Sequence, residues 1–356
     1  MSANRWTEIK YSRVPSVCMK NNKDHFFKHD AEGFEKYLLE VESGKKKISG
    51  ATLLPHELVA EAIAAEHTQL AGNSKFPALQ ELKKRRVEAE VRVIESQWKT
   101  LISSLRESGS IENAIAICDV SGSMGYLDGK HSKKNVQPIL PAISLSLVLA
   151  SLAKPPFNGG FITFSAVPQF VTLDLEKPLV QLVRLMSGAH WTMNTDFSAV
   201  FLKLLLPLAV KNKVKPEDMI KRLFVFSDMQ FDEARGQKGR ASDWETNHDV
   251  IEKAYKDGGY EMPQIVYWDL SVGSRMTKEV ESSTKKGVAM LNGFSPAMLK
   301  VFMGEEEEDA AEWEKVDEDG ETTATVIEKD EDEVNPVNVM KKALMKTSFG
   351  GLVVVD

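Results

Sequence analysis

Cysteine is nearly absent. The 356 residues contain two, Cys18 and Cys118, far apart in the chain. Two such thiols make no disulfide framework, which points to a reducing compartment. Cys118 lies in an apolar run and reads as a buried structural thiol rather than a nucleophile. The N-terminal stretch Met1–Lys10 is polar and lacks the apolar core of a secretory signal. No apolar run reaches bilayer length either. The longest, Ile139–Ala153, is interrupted by Pro141, Ser144, Ser146 and Ser151 and reads as a buried helix. These absences predict an intracellular, cytoplasmic chain, with the nucleus as the alternative and no membrane partner. Several catalytic signatures are missing as well. There is no G-x-x-x-x-G-K-[ST] phosphate loop, and Gly122-Ser123-Met124-Gly125 is not the G-x-S-x-G elbow of hydrolases.

Charge is abundant but unevenly placed. The net charge is −7. Between Glu305 and Glu333 stand sixteen acidic residues and two lysines, a local charge of −14, which leaves about +7 on the remainder. Like charges at that density repel and bury little apolar area, so this stretch is expected to be a disordered, solvated insertion. With 42% hydrophobic residues the rest can bury a large core, enough for two structural units.

Residues 1–110 read as a small all-helical subdomain. Phe34, Tyr37, Leu38 and Val41 fall at helical spacing within Ala31–Glu42, and Leu58, Ala62 and Ile63 do so within Pro55–Leu70. The longest helix is predicted from Pro77 to Glu107, with a seam of Val87, Val91, Ile94, Trp98, Leu101 and Leu105. Lys83, Lys84, Arg85 and Arg86 near its start are read as a solvated face, with an RNA-binding patch as the alternative. His25 and His29 could share a helix face, and they read as structural histidines because no third metal ligand accompanies them.

From residue 111 to 356 the pattern changes to strands alternating with helices. Strands are expected at 114–118, 161–164, 169–173, 223–226, 264–268 and 288–291. Helices are expected at 139–153, 179–186, 197–210, 243–256, 296–303 and 337–346. Such alternation implies a doubly wound, mainly parallel α/β sheet flanked by helices. Ligands of these sheets sit at the carboxyl ends of the strands, beside the point where strand order reverses.

Three loops at that edge carry a candidate metal site. The first strand ends in Asp119-Val120-Ser121-Gly122-Ser123-Met124-Gly125. Another ends in Phe226-Ser227-Asp228, and Asn194-Thr195-Asp196 immediately precedes a helix. Gly122 and Gly125 are expected to let the chain turn sharply, so that both serines face inward. Asp119, Ser121, Ser123, Thr195 and Asp228 supply two carboxylates and three hydroxyls, hard donors that suit Mg²⁺, with Mn²⁺ or Ca²⁺ possible. His190 and Trp191 could line the rim of this site or serve in packing.

The pattern Asp119-x-Ser121-x-Ser123 followed by Thr195 and Asp228 resembles the metal-ion-dependent adhesion site of von Willebrand factor A domains. That resemblance implies that the serines and threonine ligate the metal and that the aspartates act directly or through water. It also implies that a partner's carboxylate fills the last position. Val14-Pro15-Ser16, Phe27-Lys28-His29-Asp30, Phe224–Phe231, Gly293-Phe294-Ser295 and the closing Leu352–Asp356 resemble a plant and fungal family of uncharacterised proteins, in which a helical region precedes such a domain. That family is distantly similar to the Ro/TROVE RNA-binding proteins.

The reading is a non-enzymatic module that binds, through its metal, a protein presenting an Asp or Glu carboxylate. An RNA-binding, ribonucleoprotein-type factor is the alternative, and a metal-dependent hydrolase a lesser one. A phosphatase using an aspartyl nucleophile needs a second carboxylate two residues after Asp119, and that position is Ser121.

Overall fold

The computed structural model describes residues 4–70, 76–127, 136–164, 167–189, 197–228, 241–271, 287–303, 314–316 and 322–324. The helical region contains α1 (Ser16–His29), α2 (Ala31–Glu42), α3 (Pro55–Leu70) and α4 (Pro77–Arg106). Pro55 and Pro77 each stand at a helix start, where the missing N–H costs nothing. Asp30 caps α2 by accepting from the Gly33 N–H at 3.3 Å.

The remainder is an α/β unit with an N-terminal helical region packed on it. Its strands are β1 (Ala114–Cys118), β2 (Gly160–Thr163), β3 (Phe170–Thr172), β4 (Arg222–Ser227), β5 (Gln264–Asp269) and β6 (Val288–Asn292). They form a six-stranded sheet in the order β3-β2-β1-β4-β5-β6. All neighbours are parallel except β2 and β3. The link from Thr163 to Phe170 is too short for a crossover helix, so β3 turns back as an antiparallel edge. The helices are α5 (Ile139–Leu152), α6 (Leu179–Ser187), α7 (Phe197–Ala199), α8 (Leu206–Asn212) and α9 (Ala241–Asp257). A π-helical stretch, Val200–Leu205, joins α7 to α8 just before Pro207, which has no N–H to continue the ladder. The helix expected near 296–303 is a 3₁₀ turn, Pro296–Val301.

Alternate residues of each central strand serve opposite cores. Ala114, Ala116, Cys118, Phe224, Phe226, Val266 and Trp268 face the side covered by α5 and α6. Ile115, Ile117, Leu223, Val225, Ile265 and Tyr267 face the side covered by α7, α8 and α9. Strands buried on both faces explain their near-continuous apolar composition. On the first side α3 and α4 extend the same core, with Leu58, Ile63, Ile94 and Leu101 joining the residues of α5. The expected boundary near residue 110 is thus a change of architecture and not a break in the core.

Among the described residues no helix is long and apolar enough to cross a membrane. Within 305–333 the described residues form a two-stranded antiparallel ribbon, β7 (Glu314–Val316) with β8 (Thr322–Ala324). The rest of that acidic stretch, and the helix expected at 337–346, lie outside the described residues.

Candidate metal centre

In the strand order β2-β1-β4-β5 the connections leave β1 in opposite directions, so the crevice at the carboxyl ends of β1 and β4 is the switch point. Asp119 and Asp228 stand at those ends, 2% and 7% exposed. The Asp119 N–H donates to the Phe226 carbonyl at 3.0 Å, which fixes the loop to β4. One oxygen of its carboxylate, Oδ1, accepts the Ser121 N–H at 2.8 Å. The other, Oδ2, accepts the Ser227 hydroxyl at 2.6 Å. Burial pushes the Asp119 carboxyl above its ordinary range and the neighbouring Asp228 charge adds to this, against the stabilising hydrogen bonds from Ser227 and Ser121.

After Asp119 the chain makes a 3₁₀ turn, Gly122–Met124, anchored by the fully buried Met124. The turn presents Ser121 and Ser123 together, their Oγ atoms 3.0 Å apart. Gly125 closes it at φ +93, a left-handed conformation that glycine adopts at little cost. A Cβ on Gly125 would also stand 2.5 Å from Gln137 Oε1, the acceptor of the Tyr126 N–H. Gly122 does not share this requirement, since its φ is not positive and open space surrounds it. The sharp turn thus rests on Gly125 alone.

Two adjacent ligands of an octahedral ion at about 2.1 Å are separated by about 3.0 Å. The Ser121 and Ser123 hydroxyls have that spacing, beside a buried carboxylate whose described partners are an amide and a hydroxyl. The donor set therefore fits a hard divalent cation. Of the five expected ligands Asp119, Ser121, Ser123 and Asp228 come together at this edge. Thr195 lies outside the described residues, as do His190 and Trp191. Cys118, one residue before Asp119, is fully buried, and burial pushes its thiol up to about 12, which suits a structural role.

Two residues of this edge lie outside the expected ligand set. Ser227 orients Asp119, and its only sequence signal is its place between the apolar strand and Asp228. Asp269, 2% exposed, ends β5 in register with Ser227 and with Asn292. Its Oδ1 accepts the Ser271 N–H at 2.8 Å, the same local geometry as Asp119 with Ser121. A second Asp-x-Ser at a strand end, Asp269-Leu270-Ser271, was the available clue.

Three of the four basic residues on α4 pair within the helical region. Arg85 grips Glu35 at 3.2 and 2.7 Å, Arg86 grips Asp24 at 3.0 and 2.5 Å, and Lys84 stands 4.0 Å from Glu88. His29 stacks on Trp6 at 4.4 Å between ring centroids, with His25 alongside at 6.5 Å.

Fold and edge together define an α/β protein with a mainly parallel six-stranded sheet, a helical region packed on one face, and an oxygen-rich cluster at the switch point. The chain belongs to the family described as a domain of unknown function, DUF7788, which matches residues 113–344. Residues 1–111 match a second domain of unknown function, DUF2828. An uncharacterised protein of Acanthamoeba polyphaga mimivirus is 29% identical over 320 residues, which cover 86% of this chain and 49% of that relative. The chain thus spans about half the length of that protein.

Proposed function

We propose that the chain is a divalent-metal-dependent protein-binding module of the von Willebrand factor A type. Asp119, Ser121, Ser123, Thr195 and Asp228 would hold Mg²⁺, with Mn²⁺ or Ca²⁺ as substitutes. The observation that carries this reading is the pair of serine hydroxyls 3.0 Å apart beside the buried Asp119, at the switch point of the sheet. Bound there, the ion supplies a Lewis-acidic position with few full charges around it, so an Asp or Glu carboxylate of a partner gains a strong contact. The chain's own residues preset the site. Ser227 and the Ser121 amide orient Asp119, and Gly125 and Met124 set the loop that aims the two hydroxyls. The described donors around Asp119 hold a carboxylate in place, and none of them is a base that activates a nucleophile. Binding, not catalysis, is the activity this arrangement favours.

The test has two arms. In the first, Mg²⁺ at about 100 times its Kd stabilises the folded chain by about 2.7 kcal/mol, read as a rise in melting temperature. Asp119→Ala removes that rise. In the second, partners captured from a lysate of the native organism are released by EDTA and fail to bind Thr195→Ala, while raised salt releases few. An identical Mg²⁺ response in wild type and Asp119→Ala would remove the site assignment. Partners that survive EDTA and Thr195→Ala, but dissociate steeply with salt and carry RNA, would replace this reading with nucleic-acid binding.

A further inference from the structure

Away from the sheet edge, α9 carries a second set of metal-capable side chains. Ile251 and Tyr255 on this helix are buried against the sheet. His248, Asp249 and Glu252 occupy positions i, i+1 and i+4, which fall within about 100° of arc at 3.6 residues per turn. Each offers one ligand atom, and these atoms lie within 4.8 Å of one another. Ligands of one ion at about 2.0–2.2 Å stand roughly 3–3.5 Å apart, so modest side-chain rotation closes the three around a cation. The imidazole is largely buried, only 9% exposed, and the two carboxylates are solvent-exposed.

Open space lies beside this group. His248 and Glu252 line a cleft of about 400 Å³ that continues to Tyr260, Glu261 and Gly287. That volume accommodates an ion with its remaining water ligands, and it places a further carboxylate, Glu261, in the same cleft. Lys256 also lines it and moderates the affinity through its like charge. The donor types decide the class of ion. One imidazole nitrogen with two carboxylate oxygens suits a borderline cation such as Zn²⁺ or Co²⁺, whereas Mg²⁺ and Ca²⁺ favour oxygen alone.

We infer that His248, Asp249 and Glu252 form a second divalent-cation site of the zinc class, separate from the centre at Asp119. An ion held there ties two turns of α9 together, on the helix that lies in sequence between the strand ends bearing Asp228 and Asp269. The inference stands on α9 and its cleft and needs nothing from the proposed binding function.

The experiment titrates the full chain with Co²⁺, followed by its visible absorption, and with Zn²⁺ by calorimetry, both in saturating Mg²⁺. One equivalent is expected to bind. Glu252→Gln and Asp249→Asn should each weaken binding by at least about tenfold, the lower end of what even outer-sphere partners of a metal cost. Asp119→Ala should leave it unchanged. These two carboxylates carry the test because they are exposed, and melting curves without metal verify that each variant folds. Absence of stoichiometric binding, or wild-type affinity in either carboxylate variant, would overturn the inference. Loss of Co²⁺ in Asp119→Ala would overturn it too, by assigning the ion to the sheet edge. The Mg²⁺ response at Asp119 is measured separately, so either site can fail alone.

Discussion

Single residues in this chain show how burial converts chemistry into pH dependence. His56, in the first turn of α3, is buried with its ring 5.2 Å from that of Phe294. Its Nδ1 makes no hydrogen bond among the described residues. Burial lowers its pKa from 6.5 to about 4, opposed by the Glu57 charge and helped by Lys20. The unfolded chain therefore binds a proton that the folded chain refuses between those values. Stability from this residue is fully present above pH 6.5 and is lost as the pH falls toward 4, by about 3 kcal/mol in all. The half-buried carboxyls Glu90 and Glu95 are shifted upward, chiefly by desolvation, and contribute in the opposite sense, their stability being lost as pH rises. A comparison with His56→Leu isolates the histidine. Urea denaturation at pH 7 and pH 4.5 should show the wild type losing at least about 2 kcal/mol more than the variant. Equal losses would mean that His56 takes up its proton within the fold.

Elements were legible where one physical cause sets the pattern. Helices α2, α3 and α4 and strands β1, β4, β5 and β6 announce themselves because apolar burial alone decides their periodicity. Helix α1 gave only a hint, in the spacing of His25 and His29, because charge holds much of it. Lys20 pairs with Glu57, and Lys23 reaches Glu61 at 2.8 Å and Glu90 at 3.3 Å, both lysines being buried. A hydropathy pattern cannot register a lysine that points inward. The candidate site divides in the same way. Asp119, Ser121, Ser123 and Asp228 were readable from spacing at predicted strand ends, but Ser227 and Asp269 became visible only with the strand register. If the lysines fasten α1, removing one partner should cost more than removing an exposed pair. Glu61→Gln leaves Lys23 under-compensated and should destabilise the chain by roughly 1–3 kcal/mol. Glu35→Gln, which unpairs the exposed Arg85, should cost less than about 1 kcal/mol. Equal costs in urea denaturation would assign the hold on α1 to its apolar residues Met19, Phe26 and Phe27.

At the scale of the whole molecule the helical region behaves as a third layer on the sheet. Thirteen of the fourteen residues of α5 are buried, including the serines of its middle turns. A helix apolar on all sides must be covered on all sides. The sheet covers one side of α5, α3 and α4 pack against it from the helical region, and Leu58, Val59, Ile63, Ile94 and Leu101 share its core. Arg184 of α6 ties the layers further by gripping Glu66 of α3 at 2.9 and 2.5 Å. The two family matches meet at residues 111 and 113, so the sequence units are separable in a way that the core is not. Removing residues 1–111 would uncover the outer side of α5. If about four large apolar side chains become exposed, at about 1.5–3 kcal/mol each, the loss is of the order of 6–12 kcal/mol. That is comparable with the whole stability of an ordinary domain, about 5–15 kcal/mol. Residues 112–356 expressed alone should therefore aggregate or lack a cooperative melting transition. Co-expression with residues 1–111 should restore a soluble complex that melts as one unit. A fragment 112–356 that is monomeric and melts within a few degrees of the full chain would show that α5 needs no third layer.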